Sequence, residues 1–287
     1  MRYKRNLLRC PICKSSLNKR EDLLVCNSCN SFYRTINGIP DMLPPVLDEK
    51  IKKSIESWNN INYNYKDHIN QSPPERLLSI DRPLIDQCFG GGNVLEVGCG
   101  NARLKIAVEK KGCNYVGIDP SLKLLKEGFK EHDLLIRGVG EYLPFPDNYF
   151  DTVIGGYHSF RYVELEKGFK ECARVLKPGG ILVFTLWNYW ALNINSILLN
   201  LKNLKIPTLN SPKNEDNICN DVLWAKNEVK KLRITGFDVE SILSTKKLIM
   251  FDLPLFNRIF NWYGYWKGFL GTLIGYDIIF ICKKADS

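Results

Sequence analysis

Apolar and polar positions follow two rhythms along the chain. Short, nearly unbroken apolar runs at 93–97 (NVLEV), 114–119 (NYVGID), 151–156 (DTVIGG), 179–187 (GGILVFTLW) and 276–284 (YDIIFICKK) predict buried strands. Residues 48–90, from DEKIKKSIESW to PERLLSIDRPLIDQCF, are predicted mostly helical and broken at Ser72-Pro73-Pro74. A helix is predicted to run through Lys170 and to stop at Pro178-Gly179-Gly180, turning there into a core strand. Further on, 188–210 is expected to be an inserted helix and loop, and 225–243 a helix followed by a strand.

One boundary draws attention to chemistry. NVLEVGCGNARL, 93–104, reads as a strand, then Gly98 and Gly100, then a helix. Glycine admits backbone angles closed to other residues and lets a ligand touch the main chain. A helix starting there aims its first unbonded N–H groups at whatever lies above.

Composition narrows the possibilities. At 287 residues, 45% hydrophobic and 25% charged, the chain suits one large domain with an appendage, or two domains, and disorder is not expected. The basic start MRYKRNLLRC has too short an apolar run for a signal peptide. Gly179 to Leu201 is uncharged and as long as a membrane span, but Asn188, Asn193, Asn195 and Asn200 interrupt it, so no span is expected. Ten cysteines with no secretion signal fit reduced thiols and a cytoplasmic protein. The net charge of +9 sits at the ends, with eight basic against three acidic residues in 1–47 and thirteen against nine in 191–287. Basic ends on a neutral middle suit an anionic partner such as RNA, or serve solubility alone.

Cys10, Cys13, Cys26 and Cys29 form two CxxC turns twelve residues apart. Each turn aims two thiolates at one point, and four sulfurs complete the closed tetrahedral shell of structural zinc. With Leu23–Val25 as a strand leading into the second turn, residues 1–47 are expected to be a zinc ribbon and its exit linker. The ribbon either grips nucleic acid or a protein partner, or is a metal-stabilised module docked on the body. With its tail it resembles the zinc-ribbon segment found in front of many bacterial and archaeal methyltransferases.

The glycine loop lacks the small residue that a dinucleotide fingerprint places five positions after its first glycine; Arg103 stands there. With spacing two, Glu96, Gly98, Gly100 and Ala102 form the pattern acid-x-Gly-x-Gly-x-small. Asp119 ends the next strand, where a carboxylate accepts bonds from both hydroxyls of a ribose, and Ser121 is the expected cap of the following helix. Together with EYLPFPDNYFDTVIGGYHSF (141–160) and KECARVLKPGGILVFT (170–185), these residues resemble the ordered motifs of the class I methyltransferases that use S-adenosylmethionine. The resemblance implies a doubly wound α/β sheet, mostly parallel, seven-stranded and Rossmann-like with its last strand antiparallel, and a methyltransferase domain over 91–287 carrying insertions at about 189–224 and 248–275. Residues 48–90 become a helical connector.

By the same resemblance Glu96, Gly98, Gly100, Ala102, Asp119, Gly140 and Glu141 bind the cofactor. Family members often carry an acid before the position of Gly140 to receive the adenine amino group; Val139 stands there, leaving backbone near Gly140, or Glu141, for that role. Tyr157 and His158 are the candidates for acceptor contacts, with His158 the base, while Arg161, Trp187 and Asn188 are placed at neighbouring strand ends. The aromatic stretch 250–271 is read as a lid packed on the body, against three alternatives: a base-stacking surface, a membrane-interface helix or plain core. The expected activity is methyl transfer to an N or O acceptor, an RNA base first. A small molecule or lipid comes next, and then an inactive cofactor-binding module acting through the ribbon on RNA or protein.

Overall fold

The computed structural model describes residues 7–60, 74–130, 134–187, 225–245, 265–267 and 277–285. The chain opens with an antiparallel meander of four strands, β1 (Leu17–Arg20), β2 (Leu23–Cys26), β3 (Phe32–Ile36) and β4 (Ile39–Pro40). Two helices follow, α1 (Glu49–Asn60) and α2 (Pro74–Asp86). The stretch around Ser72-Pro73, where the connector is expected to break, lies outside the described residues; Pro74 opens α2, where its missing N–H costs nothing.

The main sheet has β5 (Asn93–Val97), β6 (Asn114–Asp119), β7 (Leu135–Arg137), β8 (Phe150–Gly155), β9 (Leu176–Trp187), β10 (Phe237–Thr245), β11 (Tyr265–Lys267) and β12 (Asp277–Lys284). Their order across the sheet is β11-β10-β12-β9-β8-β5-β6-β7. Strands β5 to β9 pair in parallel, and β12 enters antiparallel between β9 and β10. These are the seven expected strands with the last one antiparallel; β11 adds a short antiparallel eighth beside β10. It comes from the aromatic stretch read as a lid, so that stretch supplies an edge strand, and its remainder lies outside the described residues. The inserted helix expected in 188–210 also lies outside them.

Alternation along the strands sorts the core into two layers. Leu95, Val97, Val153, Leu182, Phe184 and Phe280 face one side, while Val94, Ile154, Val183 and Ile279 face the other. The first layer is covered by α5 (Leu165–Val175) and α6 (Ala225–Ile234), the second by α2, α3 (Lys105–Lys110) and α4 (Leu122–Gly128). Under α5 the rings of Phe160, Phe169, Phe184 and Phe280 lie in series with centroids 5.0 to 5.8 Å apart. Each such pair adds about 0.5–1.5 kcal/mol beyond its buried area.

Two sequence expectations are corrected here. Helix α5 ends at Val175, three residues before Pro178, because Pro178 disfavours helical angles at Lys177 and Leu176 is already extended at φ −74 and ψ 140. Strand β9 then carries Pro178-Gly179-Gly180 as a bulge: Phe150 pairs with Leu176 and Thr152 with Ile181, and Gly179 takes φ +69. The helix after the glycine loop starts only at Lys105, so residues 98–104 are a loop and the cofactor turn is not itself a helix N-terminus.

The ribbon closes an edge of the main sheet. Asp41, just past β4, forms a parallel bridge with Arg137 of the edge strand β7, and the Met42 N–H donates to the Arg137 carbonyl at 2.8 Å. Covered in this way, β7 no longer offers open backbone groups to another chain. Arg9 N–H donates to the Pro144 carbonyl at 2.9 Å, and Lys14 Nζ reaches Glu171 Oε2 at 2.6 Å. Leu7, Tyr33 and Met42 are buried in the same cluster as Val97, Phe145 and Phe150, so ribbon and body share apolar core.

Candidate active site

The carboxyl ends of β5, β6 and β8 converge on one cavity of about 340 Å³. Asp119 stands at the end of β6, 8% exposed and facing it. Its Oδ2 accepts the Gly100 N–H and its Oδ1 the Ser121 N–H, both at 2.8 Å. Two of the roughly four lone-pair sites of a carboxylate are thereby used on backbone, and the rest remain for ligand hydroxyls. Ser121 caps α4 as expected, its Oγ accepting the Leu124 N–H at 3.4 Å.

Gly98 and Gly100 line the cavity at φ +73 and φ +54. At Gly98 the protein's own chain also excludes a side chain: a Cβ there would lie 2.3 Å from Ser159 Cβ. Ser159 is fixed by its hydroxyl, which donates to the Val97 carbonyl at 2.8 Å. Gly140 lines the far end, where a Cβ would crowd Val163 and Val97 at 3.1 Å.

Glu96 and Ala102 lie behind this surface. Glu96 is buried against the Tyr115 hydroxyl, which donates to its Oε2, and Ala102 holds a left-handed φ of 57. Arg103, at the fingerprint position, reaches α2 and pairs with Asp81. The Glu141 carboxylate lines the cavity yet is engaged, since Oε1 accepts the Glu164 N–H at 2.7 Å and so caps the start of α5. Val139 packs with Ile51 and Ile55 of α1.

Burial raises the acids here. Asp119 is pushed up to about 6 by desolvation, against the lowering effect of its two backbone donors. Glu96 is pushed up to about 8 by burial, although the Tyr115 hydroxyl favours its charge, and burial takes Glu141 to about 7. A ligand that donates two hydroxyls to Asp119 binds the ionised form, so below about pH 6 binding must first remove a proton. Affinity for S-adenosylhomocysteine is therefore expected to fall about tenfold per pH unit below 6 and to be flat, as far as Asp119 is concerned, above 7. Calorimetry at pH 5, 6 and 7.5 in buffers of different ionisation enthalpy reads both the affinity and the proton released.

The other end of the cavity is built by the turn after β8. Tyr157 and His158 both adopt left-handed backbone, at φ 45 and φ 63, an unusual conformation for two successive residues other than glycine. The turn is held by the His158 N–H, which donates to Thr185 Oγ1 at 2.8 Å, and by the short 3₁₀ turn Ser159–Tyr162 that follows. Arg161 lines the same cavity, whereas Asn188 and the side chain of Trp187 lie outside what is described. Helix α1 forms a wall here through Ile51, Ser54 and Ile55, which the sequence reading did not assign to the site. The available signal was the i, i+4 pair Ile51 and Ile55 in an otherwise charged helix.

The four ribbon cysteines form a second centre. Their sulfurs all lie within 4.8 Å of one another, with Cys10 to Cys29 at 3.5 Å and Cys13 to Cys26 at 3.3 Å. Tetrahedral zinc with bonds near 2.3 Å spaces its sulfurs about 3.8 Å apart, close to these values. Both CxxC turns repeat one geometry: Cys10 N–H donates to Ser15 and Cys26 N–H to Ser31, with Lys14 and Asn30 left-handed at matching positions.

Comparison with known proteins agrees with this geometry. Residues 95–184 match the methyltransferase domain family. An uncharacterized protein of Methanocaldococcus jannaschii is 29% identical over 72% of this chain and 82% of its own length. The demethylmenaquinone methyltransferase of Listeria welshimeri is 34% identical over 47% of this chain, and the match spans 58% of that enzyme. Among solved structures, the geranyl diphosphate C-methyltransferase of Streptomyces coelicolor superposes with a TM-score of 0.56 at 16% identity, covering 84% of this chain and all of that one, and so shares the fold. With the family match, the strand order and the glycine and acid cradle in agreement, residues 95–184 form a methyltransferase domain with the fold of the S-adenosylmethionine-dependent methyltransferases.

Proposed function

We propose that the whole protein transfers a methyl group to a small, planar and largely apolar acceptor bearing an ionisable O–H or ring N–H. The observation that carries this reading is the continuity of the cavity from Gly98, Gly100 and Asp119 to Tyr157, His158 and Tyr162, walled by Ile51 and Ile55 of α1. A mostly apolar pocket with a small set of placed polar groups is the usual form of a small-molecule site. The local similarity to a demethylmenaquinone methyltransferase supports a small-molecule acceptor.

In this reading Asp119 holds the ribose, and backbone around Gly138 to Gly140 faces the adenine. When bound, the cofactor supplies an electrophilic methyl group on a sulfonium. Tyr157 and Tyr162 flank the acceptor, α1 excludes water, and His158 takes the acceptor's proton. Zinc, held by Cys10, Cys13, Cys26 and Cys29, is structural in this proposal, since four thiolates leave no open position.

One observation favours RNA as a second reading. The strand register places Asn18, Arg20, Leu23, Val25, Phe32 and Arg34 on one ribbon face, with Phe32 63% exposed and both arginines exposed. An aromatic ring on the same face as two guanidinium groups suits a stacked base near phosphates.

The test is incubation with methyl-labelled cofactor against hydroxyquinones and other phenolic or N-heterocyclic acceptors, and in parallel against total RNA. Label is expected in the organic extract and only background in RNA. Ile55→Asp, which places a charge in the chamber wall, should cut transfer to the small acceptor at least tenfold. Label in RNA, removed by Phe32→Ala, would replace the first reading by the second.

A further inference from the structure

We propose that Asp277, the first residue of β12, is the positioning residue that holds His158 as proton acceptor at the methyl-transfer end of the cavity. This deepens the reading above, and rests on it.

The sheet topology delivers the pair. Parallel strands end where the cofactor cradle lies, and the antiparallel β12 begins there, opposite Trp187 at the end of β9. Asp277 is therefore brought from 119 residues away to the turn that carries His158. His158 Nε2 lies 2.9 Å from Asp277 Oδ1, and the two side chains are 3% and 1% exposed. His158 nevertheless lines the cavity, so the imidazole connects a buried carboxylate to the ligand space.

The other nearby carboxylates have different partners: Glu96 the Tyr115 hydroxyl, Asp119 two backbone N–H groups, and Glu141 the Glu164 N–H. Among the described residues, besides Asp277, the charged and titratable groups facing this space are Tyr157, Arg161 and Tyr162 on the same turn, Asp119 and Glu141 across the cavity, and Glu96, whose Oε1 lies behind Gly156. The left-handed backbone at Tyr157 and His158 gives the turn one defined orientation, kept by the Thr185 hydroxyl.

A neutral imidazole that donates Nε2–H to Asp277 carries its basic lone pair on Nδ1. The acceptor's O–H or N–H proton moves to that nitrogen as the acceptor's electron pair forms the bond to the methyl carbon. The carbon–sulfur bond breaks with its pair going to sulfur, leaving a neutral thioether. The imidazolium so formed is paired with the Asp277 carboxylate until its proton passes to water.

The test needs no knowledge of the acceptor. The chain has three histidines, His68, His132 and His158, so long-range proton–nitrogen NMR of the full-length, zinc-loaded protein resolves each ring, with His158→Gln giving the assignment. The titration of His158 is followed from pH 5 to 9 with S-adenosylhomocysteine and with S-adenosylmethionine, which differ by one positive charge at sulfur. A base beside the methyl position should titrate about one pH unit lower with the sulfonium present. Asp277→Asn should lower the His158 titration by about one unit and change its tautomer, with S-adenosylhomocysteine affinity within twofold of wild type.

A His158 that does not titrate, or titrates alike with both cofactors, would overturn the proposal; this comparison uses the wild type and stands even if Asp277→Asn does not fold. Calorimetry separates the two failures. Absence of S-adenosylhomocysteine binding sinks the cofactor reading, whereas tight binding with a silent His158 sinks the pair alone.

Discussion

Asp119→Ala is expected to lower affinity for S-adenosylhomocysteine at least about 100-fold while leaving the chain folded. The carboxylate does two things at once. Toward the protein it accepts the N–H groups of Gly100 and Ser121, each at 2.8 Å, and so fixes the glycine loop relative to the start of α4. Toward the cavity, in the binding mode proposed above, its remaining lone pairs accept from two ribose hydroxyls. Hydrogen bonds to a charged group contribute about 1.5–3 kcal/mol each, so losing two costs about 3–6 kcal/mol, or two to four orders of magnitude in affinity. Asp119→Asn should lose nearly as much, because its NH2 group must then face either a backbone N–H or a ribose hydroxyl from the wrong side. Far-ultraviolet circular dichroism controls for folding and calorimetry reads the affinity. A folded Asp119→Ala protein that binds within threefold of wild type would remove Asp119 from the cofactor site.

Legibility in the sequence followed locality. The buried strands were readable because their apolar runs are short and bounded by turn residues, and the four-cysteine cluster because the cysteines of each pair are three positions apart. The helix cap at Ser121 was readable for the same reason. What escaped depends on distant partners. The i, i+4 pair Ile51 and Ile55 marks an apolar stripe on α1 but does not say that the stripe walls a cavity whose glycines lie more than forty residues on. Asp277 looks like any strand-opening aspartate until the antiparallel entry of β12 sets it beside His158. Glu141 was offered by resemblance, beside backbone near Gly140, in place of the acid missing at Val139; what the sequence did not show is that its carboxylate also accepts the Glu164 N–H at the start of α5. Gly98 was read as a place where a ligand needs room, and Ser159 proves to need it too. The two misplaced helix ends have different causes: Pro178 acts earlier than expected, by disfavouring helical angles at the residue before it, while after Gly100 the tie to Asp119 holds the chain as a loop past the local start signal.

Removing zinc should destabilise the whole protein and weaken cofactor binding, although the four cysteines are remote in sequence from the cofactor loop. Apparent binding free energies for structural zinc are about 10–16 kcal/mol, which a small four-stranded ribbon cannot replace from its own core. Its apolar residues are shared: Leu7, Tyr33 and Met42 lie in one cluster with Val97, Phe145 and Phe150 of the body. Unfolding the ribbon therefore uncovers body core, and a loss of about 3 kcal/mol there is enough to lower Tm by about 6–12 °C for a chain of this size. The link to the cofactor runs through Arg137. Its guanidinium pairs with Asp41 Oδ2 at 2.8 Å and donates from Nε to the Pro120 carbonyl at 3.2 Å, while its own carbonyl receives the Met42 N–H. Gly138 N–H in turn donates to the Asp119 carbonyl at 3.1 Å. Without the ribbon this edge of the sheet loses two of its ties, those to Asp41 and Met42, and the loop 138–140 that borders the cavity loses part of its support. Chelation, or Cys26→Ser, should therefore abolish amide exchange protection in β7, lower Tm, and reduce S-adenosylhomocysteine affinity at least about tenfold; restoring zinc to the chelated wild type should reverse all three. If the ribbon unfolds on chelation while β7 protection and cofactor affinity persist, the ribbon is a separate passenger and the Asp41 to Arg137 contact carries no coupling.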